Sequence, residues 1–339
     1  MTRAVPLLPH HALRELSNER PSRRLPPARA PHPLMHWRAK VAGFKLLSAL
    51  PGGSALYRFC QDRLTKSLVP SPERVAQKLA VGLQYFDWLT QHRRHDQLLM
   101  GVHLDLGAGW HPTIPLLFYS LGANRQFLFD VVPLLDARLV AQTLETFLRL
   151  VQDPGWPHRG RLRRLPPPLE DSDWRHYFQK LGIACHAPYA ATFPSLAARV
   201  DVVTCTQVLL HLPREVMAWC FGQTFLSLKP GGLFMATIHL KDLFANSQPR
   251  LSKYNHLRYS AETWQRWINS PLMSYNRFKA PDYRELLETA GFEIVHFEVE
   301  EGTAGDLQEL DTIPIAPCFE RYSRAELAAR HLFFVARKA

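Results

Sequence analysis

The sequence has no apolar run approaching the roughly 20 residues that a membrane-spanning helix needs. Its first residues hold arginines and prolines but no apolar signal core, which argues against secretion. Cysteine is scarce: Cys60, Cys185, Cys205, Cys220 and Cys318 are scattered, odd in number, and never spaced Cys-x-x-Cys. That pattern argues against a disulfide framework or a cysteine-bound zinc and for a reducing cytoplasm. Histidine is not scarce, at 16 residues, yet no His-Glu-x-x-His or similar ligand spacing occurs, so no metal is expected. Acidic residues are in deficit, 30 against 41 basic, for a net charge of +11. The excess is local. Residues 1–34 contribute +4 and the run Arg159, Arg161, Arg163 and Arg164 another +4, leaving +3 elsewhere. With no continuous basic face to follow phosphates, nucleic acid is disfavoured as a partner.

What is present is ordinary globular composition, 46% hydrophobic and 21% charged, over a chain long enough for one elaborated domain or two. Residues 1–34 carry prolines at 6, 9, 21, 26, 27, 31 and 33 and no sustained periodicity, and read as a disordered basic tail. Met35 could itself start the chain. A protein beginning there should melt within a few degrees of the full one; a large loss of stability would show that the tail packs.

Residues 35–98 read as a helical cap. One helix begins near Trp37 and breaks at Pro51-Gly52-Gly53, and a second is expected from Ser54 to Leu68. Ser71-Pro72-Glu73 then combines an N-cap, a first-turn proline and an acid. The helix that follows aligns Val75, Leu79, Leu83 and Phe86 and ends in basic residues.

From residue 99 to 339 the pattern alternates. Strands are expected at "VHLDL", "QFLFD", "ACHAPY", "VDVVTC", "GLFMATI", "FEIVHFEVE" and "HLFFVARK". Helices Thr113–Leu121, Leu134–Val151, Trp174–Leu181 and Arg214–Leu228 separate the first five. Near-continuous apolar strands between helices imply a parallel sheet covered on both faces, an α/β doubly wound fold.

The stretch from His103 to Ala123 places a glycine turn, Asp105-Leu-Gly107-Ala108-Gly109, between a strand and a helix. Ile114, Leu117, Phe118 and Leu121 give that helix its buried face, and Gly122 stops it. Strand, glycine turn and helix N-terminus make the usual nucleotide-cofactor position. Asp130 ends the second strand 23 residues past Gly107, where an acid can accept both ribose hydroxyls. A carboxylate at Asp105 would repel a pyrophosphate but suits a sulfonium and an ammonium. Pro112, where a third dinucleotide glycine would fall, lacks the amide a phosphate would use. Both count against NAD and for S-adenosylmethionine.

These residues, with "DVVTCTQVLLHLPRE" and "LKPGGLFMATIHL", resemble the class I S-adenosylmethionine-dependent methyltransferases, closest to their broad small-molecule, type 11-like group. The resemblance covers roughly residues 100–300. It implies a Rossmann-like, mostly parallel seven-stranded sheet whose last strand runs antiparallel between the fifth and sixth. It implies a cofactor site of Asp105, Gly107, Ala108, Gly109, Asp130, Val131, Thr206 and Gln207. This chain departs from the family pattern at three places. His111 replaces the third glycine. "PYAATF" has Ala190 and Ala191 where many members hold an adenine-binding acid. Thr206-Gln207-Val208-Leu209 stands where base and glutamine methylating enzymes carry Asn/Asp-Pro-Pro-Tyr.

The acceptor belongs beside the ends of the fourth and fifth strands. His239 and Asp242 are candidate base and orienter, with His211 a further candidate base. An aromatic-rich insert, 241–283, offers Arg258, Asn276 and Arg277 as acceptor ligands. The expected activity is methyl transfer to an oxygen or nitrogen of a small-molecule or glycan-like acceptor. A catalytically inactive S-adenosylmethionine-binding domain and an NAD(P)-dependent oxidoreductase are the alternatives.

Overall fold

The computed structural model describes residues 36–52, 58, 68–169, 173–187, 196–248 and 250–339. The tail 1–34, the expected helix from Ser54 to Leu68 apart from Arg58 and Leu68, and "PYAATF" lie outside the described residues. Seven strands form one sheet in the order β3-β2-β1-β4-β5-β7-β6. They are β1 (His103–Leu106), β2 (Gln126–Phe129), β3 (Ile183–His186), β4 (Val200–Thr206), β5 (Leu228–His239), β6 (Glu293–Glu300) and β7 (His331–Arg337). The first five run parallel, and β7 lies antiparallel between β5 and β6. The fold is the seven-stranded, Rossmann-like sheet that the residue pattern and the resemblance implied.

Helices cover both faces, and each end has a local cause. α1 is Trp37–Ala49, and α2 is Pro72–Gln91. Ser71 Oγ accepts the Arg74 N–H that begins α2 (3.3 Å), with Pro72 in the first turn. A short α3 (His95–Leu99) follows, where the sequence showed only a basic helix end. α4 (Thr113–Leu121) stops at Gly122, whose φ of 115° is left-handed and whose N–H donates to Phe118 O at 3.1 Å. α5 spans Ala137–Gln152, starting later than expected because Asp136 caps it, accepting Leu139 N–H at 2.9 Å. α6 (Trp174–Lys180) and α7 (Arg214–Ser227) complete the layers around the parallel strands. After β5 come α8 (Ala280–Thr289), α9 (Ala304–Asp311) and α10 (Arg324–Ala328).

The sheet separates two apolar cores. One joins Trp37 and Val41 of α1 to α7, α8 and the insert. The other packs Val75, Leu79 and Leu83 of α2 against α4, α5 and α6. A third cluster packs Tyr254 and Leu257 of the insert against Ile313, Phe319 and Leu327. The arginine run at 159–164 is not a loose solvated loop. Arg161 pairs with Asp87 of α2, and Arg164 donates to Tyr119 O and Ala123 O around the end of α4. No helix among the described residues is long and apolar enough to cross a membrane.

Candidate functional site

Strands β1, β2 and β4 deliver their carboxyl ends to one edge, where a doubly wound sheet leaves a crevice between its helical layers. Past β1 the chain turns through Gly107 and Gly109 at φ 76° and 66°. A Cβ on Gly107 would strike Val208 at 2.2 Å; one on Gly109 would find open space, nearest to Gly107 O at 3.8 Å. Packing therefore demands the first glycine, and the second leaves bare backbone facing the crevice. Asp130 Oδ2 accepts Gly109 N–H (3.0 Å) and its Oδ1 accepts Val132 N–H (3.3 Å). Burial raises the pKa of this carboxyl, against the pull of those amides and of Lys78.

A cavity of about 790 Å³ opens here, within the usual size of small-molecule sites. Gly107, Gly109, Asp130, Val131, Thr206 and Gln207 line it, so most of the expected cofactor set shares one space. Ala108 lines a smaller adjoining hollow of about 80 Å³ that also borders Gly109, Asp130, Leu128, Trp174, Cys185 and His186. Asp105 lines neither hollow. It is 5% exposed beneath the turn, its Oδ1 accepts from Thr204 Oγ1 at 2.7 Å, and burial pushes its pKa up to about 6.

Gln207 has a left-handed backbone, φ 58°, rare for a side-chain-bearing residue. Three ties hold it: its N–H donates to Thr237 O (2.9 Å), its Oε1 accepts His239 N–H (2.8 Å), and its Nε2 donates to His331 Nε2 (3.0 Å). Strain of this kind persists where surrounding contacts over-determine it, as at binding sites. At the missing third glycine, His111 Nε2 donates to Leu68 O (2.7 Å) while its carbonyl accepts Lys78 Nζ (2.9 Å). Instead of loosening the turn, the histidine ties it to the N-terminal helices.

The expected catalytic residues separate. His211 lines the cavity, and its Nδ1 donates to Ser274 O at 2.7 Å. That bond puts the proton on Nδ1 and leaves the Nε2 lone pair available. Burial lowers the His211 pKa, so the ring is neutral at pH 7. The expected His239–Asp242 pair does not form. His239 packs its ring on His331, centroids 4.8 Å apart, outside the cavity lining. Asp242, 1% exposed, accepts Phe244 N–H (2.8 Å), Tyr275 Oη–H (2.9 Å) and Asn255 Nδ2–H (3.2 Å). The reason is the turn after β5, which sends this carboxylate inward to organise the insert.

Two of the three expected acceptor ligands are also spent on structure. Arg258 is exposed and lines no part of the cavity. Asn276 Nδ2 donates to Leu209 O (2.8 Å) and Leu212 O (2.9 Å), holding the turn that presents His211. Arg277 donates to His256 O and Tyr259 O and lies between the Trp264 and Phe319 rings, 4.9 and 4.8 Å away. Asn276 and Arg277 border a separate cleft of about 430 Å³ that meets the main cavity at Ser274. From the insert, it is residues 271–274 that face the cavity.

Several lining residues escaped the sequence reading: Arg74 and Lys78 of α2, Trp110, Leu272 and Met273. One signal existed, the i, i+4 spacing of Arg74 and Lys78 beside the apolar stripe of α2. Nothing in the pattern said that this helix face would look onto the glycine turn.

A parallel sheet with β7 inserted antiparallel, and a glycine turn and acid flanking one crevice, define an α/β protein of the Rossmann-like methyltransferase type. A family model described as "Methyltransferase domain" matches residues 69–297, and the chain belongs to that family. The cofactor that the sequence motifs imply is S-adenosylmethionine. The residues fit that group: open glycine backbone, and a carboxylate whose two amide bonds leave lone pairs for two hydroxyls. Among solved structures, the chain is similar to magnesium protoporphyrin IX methyltransferase from Synechocystis PCC 6803 with bound S-adenosylhomocysteine. They share 15% identity over 82% of this chain and 88% of that one, with a TM-score of 0.41. A methyltransferase from Methanosarcina mazei shares 15% identity over 72% and 95%, TM-score 0.38. One from Mesorhizobium loti shares 14% over 74% and 97%, TM-score 0.39. No curated protein matches the chain significantly.

Proposed function

We propose that the protein transfers a methyl group from S-adenosylmethionine to an oxygen or nitrogen of a small organic acceptor. The observation that carries this reading is one continuous cavity with Asp130 and Gly109 lining one part and His211 and Met273 another. When bound, the cofactor supplies an electrophilic sulfonium methyl. Asp130 takes the ribose hydroxyls on the acceptor sites its two amide bonds leave free. The hollow between Leu128, Trp174 and Cys185 receives the adenine. Thr206 and Gln207 offer backbone to the amino-acid end.

The acceptor's place is bounded by Leu209, Leu212, Leu272 and Met273, a wall that excludes water and suits an acceptor with an apolar body. His211 Nε2 takes the acceptor's proton. Asn276 positions His211 by fixing the carbonyls on either side of it. His239, Asp242 and Arg277 are proposed to shape the acceptor region without touching the reacting atoms.

Calorimetry tests the cofactor half. The protein should bind S-adenosylmethionine and S-adenosylhomocysteine, and not NAD. Asp130→Ala should weaken binding by about 2–4 kcal/mol, two hydrogen bonds to a charged acceptor. Unchanged affinity in a folded variant would remove Asp130 from the site. Labelled cofactor turned over against a small-molecule extract of the source cell would then reveal the acceptor.

A further inference from the structure

We propose that α1 and the adjoining turn of the insert form a docking surface for an anionic lipid bilayer, which holds the protein at a membrane face without spanning it. The methyl-transfer reading does not require this surface, and its test is independent of turnover.

α1 is apolar on two sides. Trp37 and Val41 enter one core of the sheet. At about 100° per residue, Ala39, Ala42, Leu46 and Ala49, continued by Leu50 after the helix, fall within one arc on the opposite side. All five are exposed, Leu46 at 64% and Leu50 at 47%. A helix apolar all round is ordinarily covered all round, yet these leucines face water. The same rotation puts Arg38 and Lys45 along one edge of the stripe. Arg38 lies over the Trp37 ring, 5.6 Å from its centroid, and Lys45 Nζ donates to Asn269 O at 3.0 Å. Neither meets a carboxylate among the described residues.

The Lys45 bond fastens the end of α1 to the insert. Two residues before Asn269 stands Trp267, 61% exposed, with the Arg266 guanidinium 5.3 Å from its ring. Leucine and tryptophan edged by arginine and lysine suit the boundary between headgroups and acyl chains. Apolar groups sink into the acyl edge there while the cations stay among the phosphates. Pro271 and Leu272 follow within a few residues, so the docked segment runs directly into the cavity wall.

Charge selects the kind of lipid. Residues 20–61 contain eight lysines and arginines and no aspartate or glutamate. Arg58 is taken by Asp136, but Arg20, Arg23, Arg24 and Arg29 stand just ahead of α1 in the sequence. From Phe244 to Ala280, Glu262 is the only acid. Basic segments beside an apolar anchor are drawn to anionic headgroups. A nucleic acid would answer the same charge but leave Leu46 and Leu50 in water, and this favours the bilayer.

Co-sedimentation of the full-length protein with vesicles tests the surface. It should bind phosphatidylcholine vesicles containing about 30% phosphatidylglycerol, and pure phosphatidylcholine about tenfold more weakly. Raising NaCl from about 0.1 M to about 0.5 M should release it. Leu46→Gln combined with Leu50→Gln should weaken binding to the anionic vesicles about tenfold, with a melting temperature within a few degrees of wild type. Trp267→Ser, at another exposed position, should weaken it independently. Failure of the wild type to bind the anionic vesicles would overturn the proposal, as would full binding by both variants. Tighter retention on a DNA duplex at the same salt, indifferent to the leucines, would assign the basic run to nucleic acid instead. A dimer in sedimentation velocity that the leucine variant dissolves would assign the stripe to a second copy of the chain.

Discussion

His211→Ala should lower turnover by about 10²–10⁴-fold while leaving S-adenosylmethionine affinity within about threefold. Methyl displacement needs a nucleophile whose proton leaves as the new bond forms, and a positioned base supplies this range of acceleration. His211 meets the geometric condition first. Its Nδ1–H is fixed on the Ser274 carbonyl, which sets ring orientation and tautomer together, and the ring borders the cavity. Burial keeps the ring neutral below the ordinary imidazole range. Turnover should therefore hold through pH 7 and fall only as acid protonates Nε2. His239→Ala provides the contrast, since that ring packs on His331 outside the cavity and its loss should leave the pH profile in place. Normal turnover in a folded His211→Ala protein would show that the base lies elsewhere or that the acceptor needs none.

Lys279→Met should destabilise the fold by about 3–5 kcal/mol, lowering the melting temperature by on the order of 10 °C, with cofactor binding intact in the folded fraction. Lys279 is fully buried, and its Nζ touches Leu240 O (3.2 Å), Leu327 O (3.4 Å) and His256 Nε2 (3.2 Å). It joins the end of β5, the insert and α10. Methionine fills similar space but leaves two carbonyls and an imidazole nitrogen without their partner, the expensive half of a broken buried contact. Burial pushes the amine down to about 7, against the attraction of Asp282 and Asp242. All three contacts survive the loss of a proton, because a neutral amine can donate twice and accept from His256 Nε2–H. The folded value lies below the ordinary 10.5, so between these two pH values the unfolded chain binds more protons. Stability from this group consequently grows as pH rises through that window. The gap between wild type and Lys279→Met, followed by thermal melts from pH 7 to 9, should widen. A constant gap would remove the titration, and equal melting temperatures would remove the structural role.

Buried polar residues mark how far the sequence could be read. The strands and the four helices between them were legible because each is short, apolar on its covered faces, and punctuated by a local signal. Ser71 and Gly122 are such signals, and each caps its helix through its own backbone neighbourhood. Asp136 was missed as a cap, and α5 consequently starts after it. The glycine turn and Asp130 were legible for the same reason, since their spacing follows from the length of one strand-helix-strand unit. The acceptor side was not. His239 and Asp242 are close in sequence, but the turn after β5 points one toward His331 and the other into the insert.

Sequence by itself determined the element order, the parallel sheet and the place of the glycine turn, because periodicity and turn residues act over a few neighbours. The resemblance supplied the antiparallel seventh strand. Tertiary structure alone decided which polar side chains share the cavity. Lys78 reaches the turn across a helix packed on the sheet, and His211 is oriented by a carbonyl 63 residues away. Arg277 and Lys279 are consumed by contacts that close only when the insert folds over β5. Such pairings depend on the directions of side chains brought together from distant segments, and no local pattern carries that information.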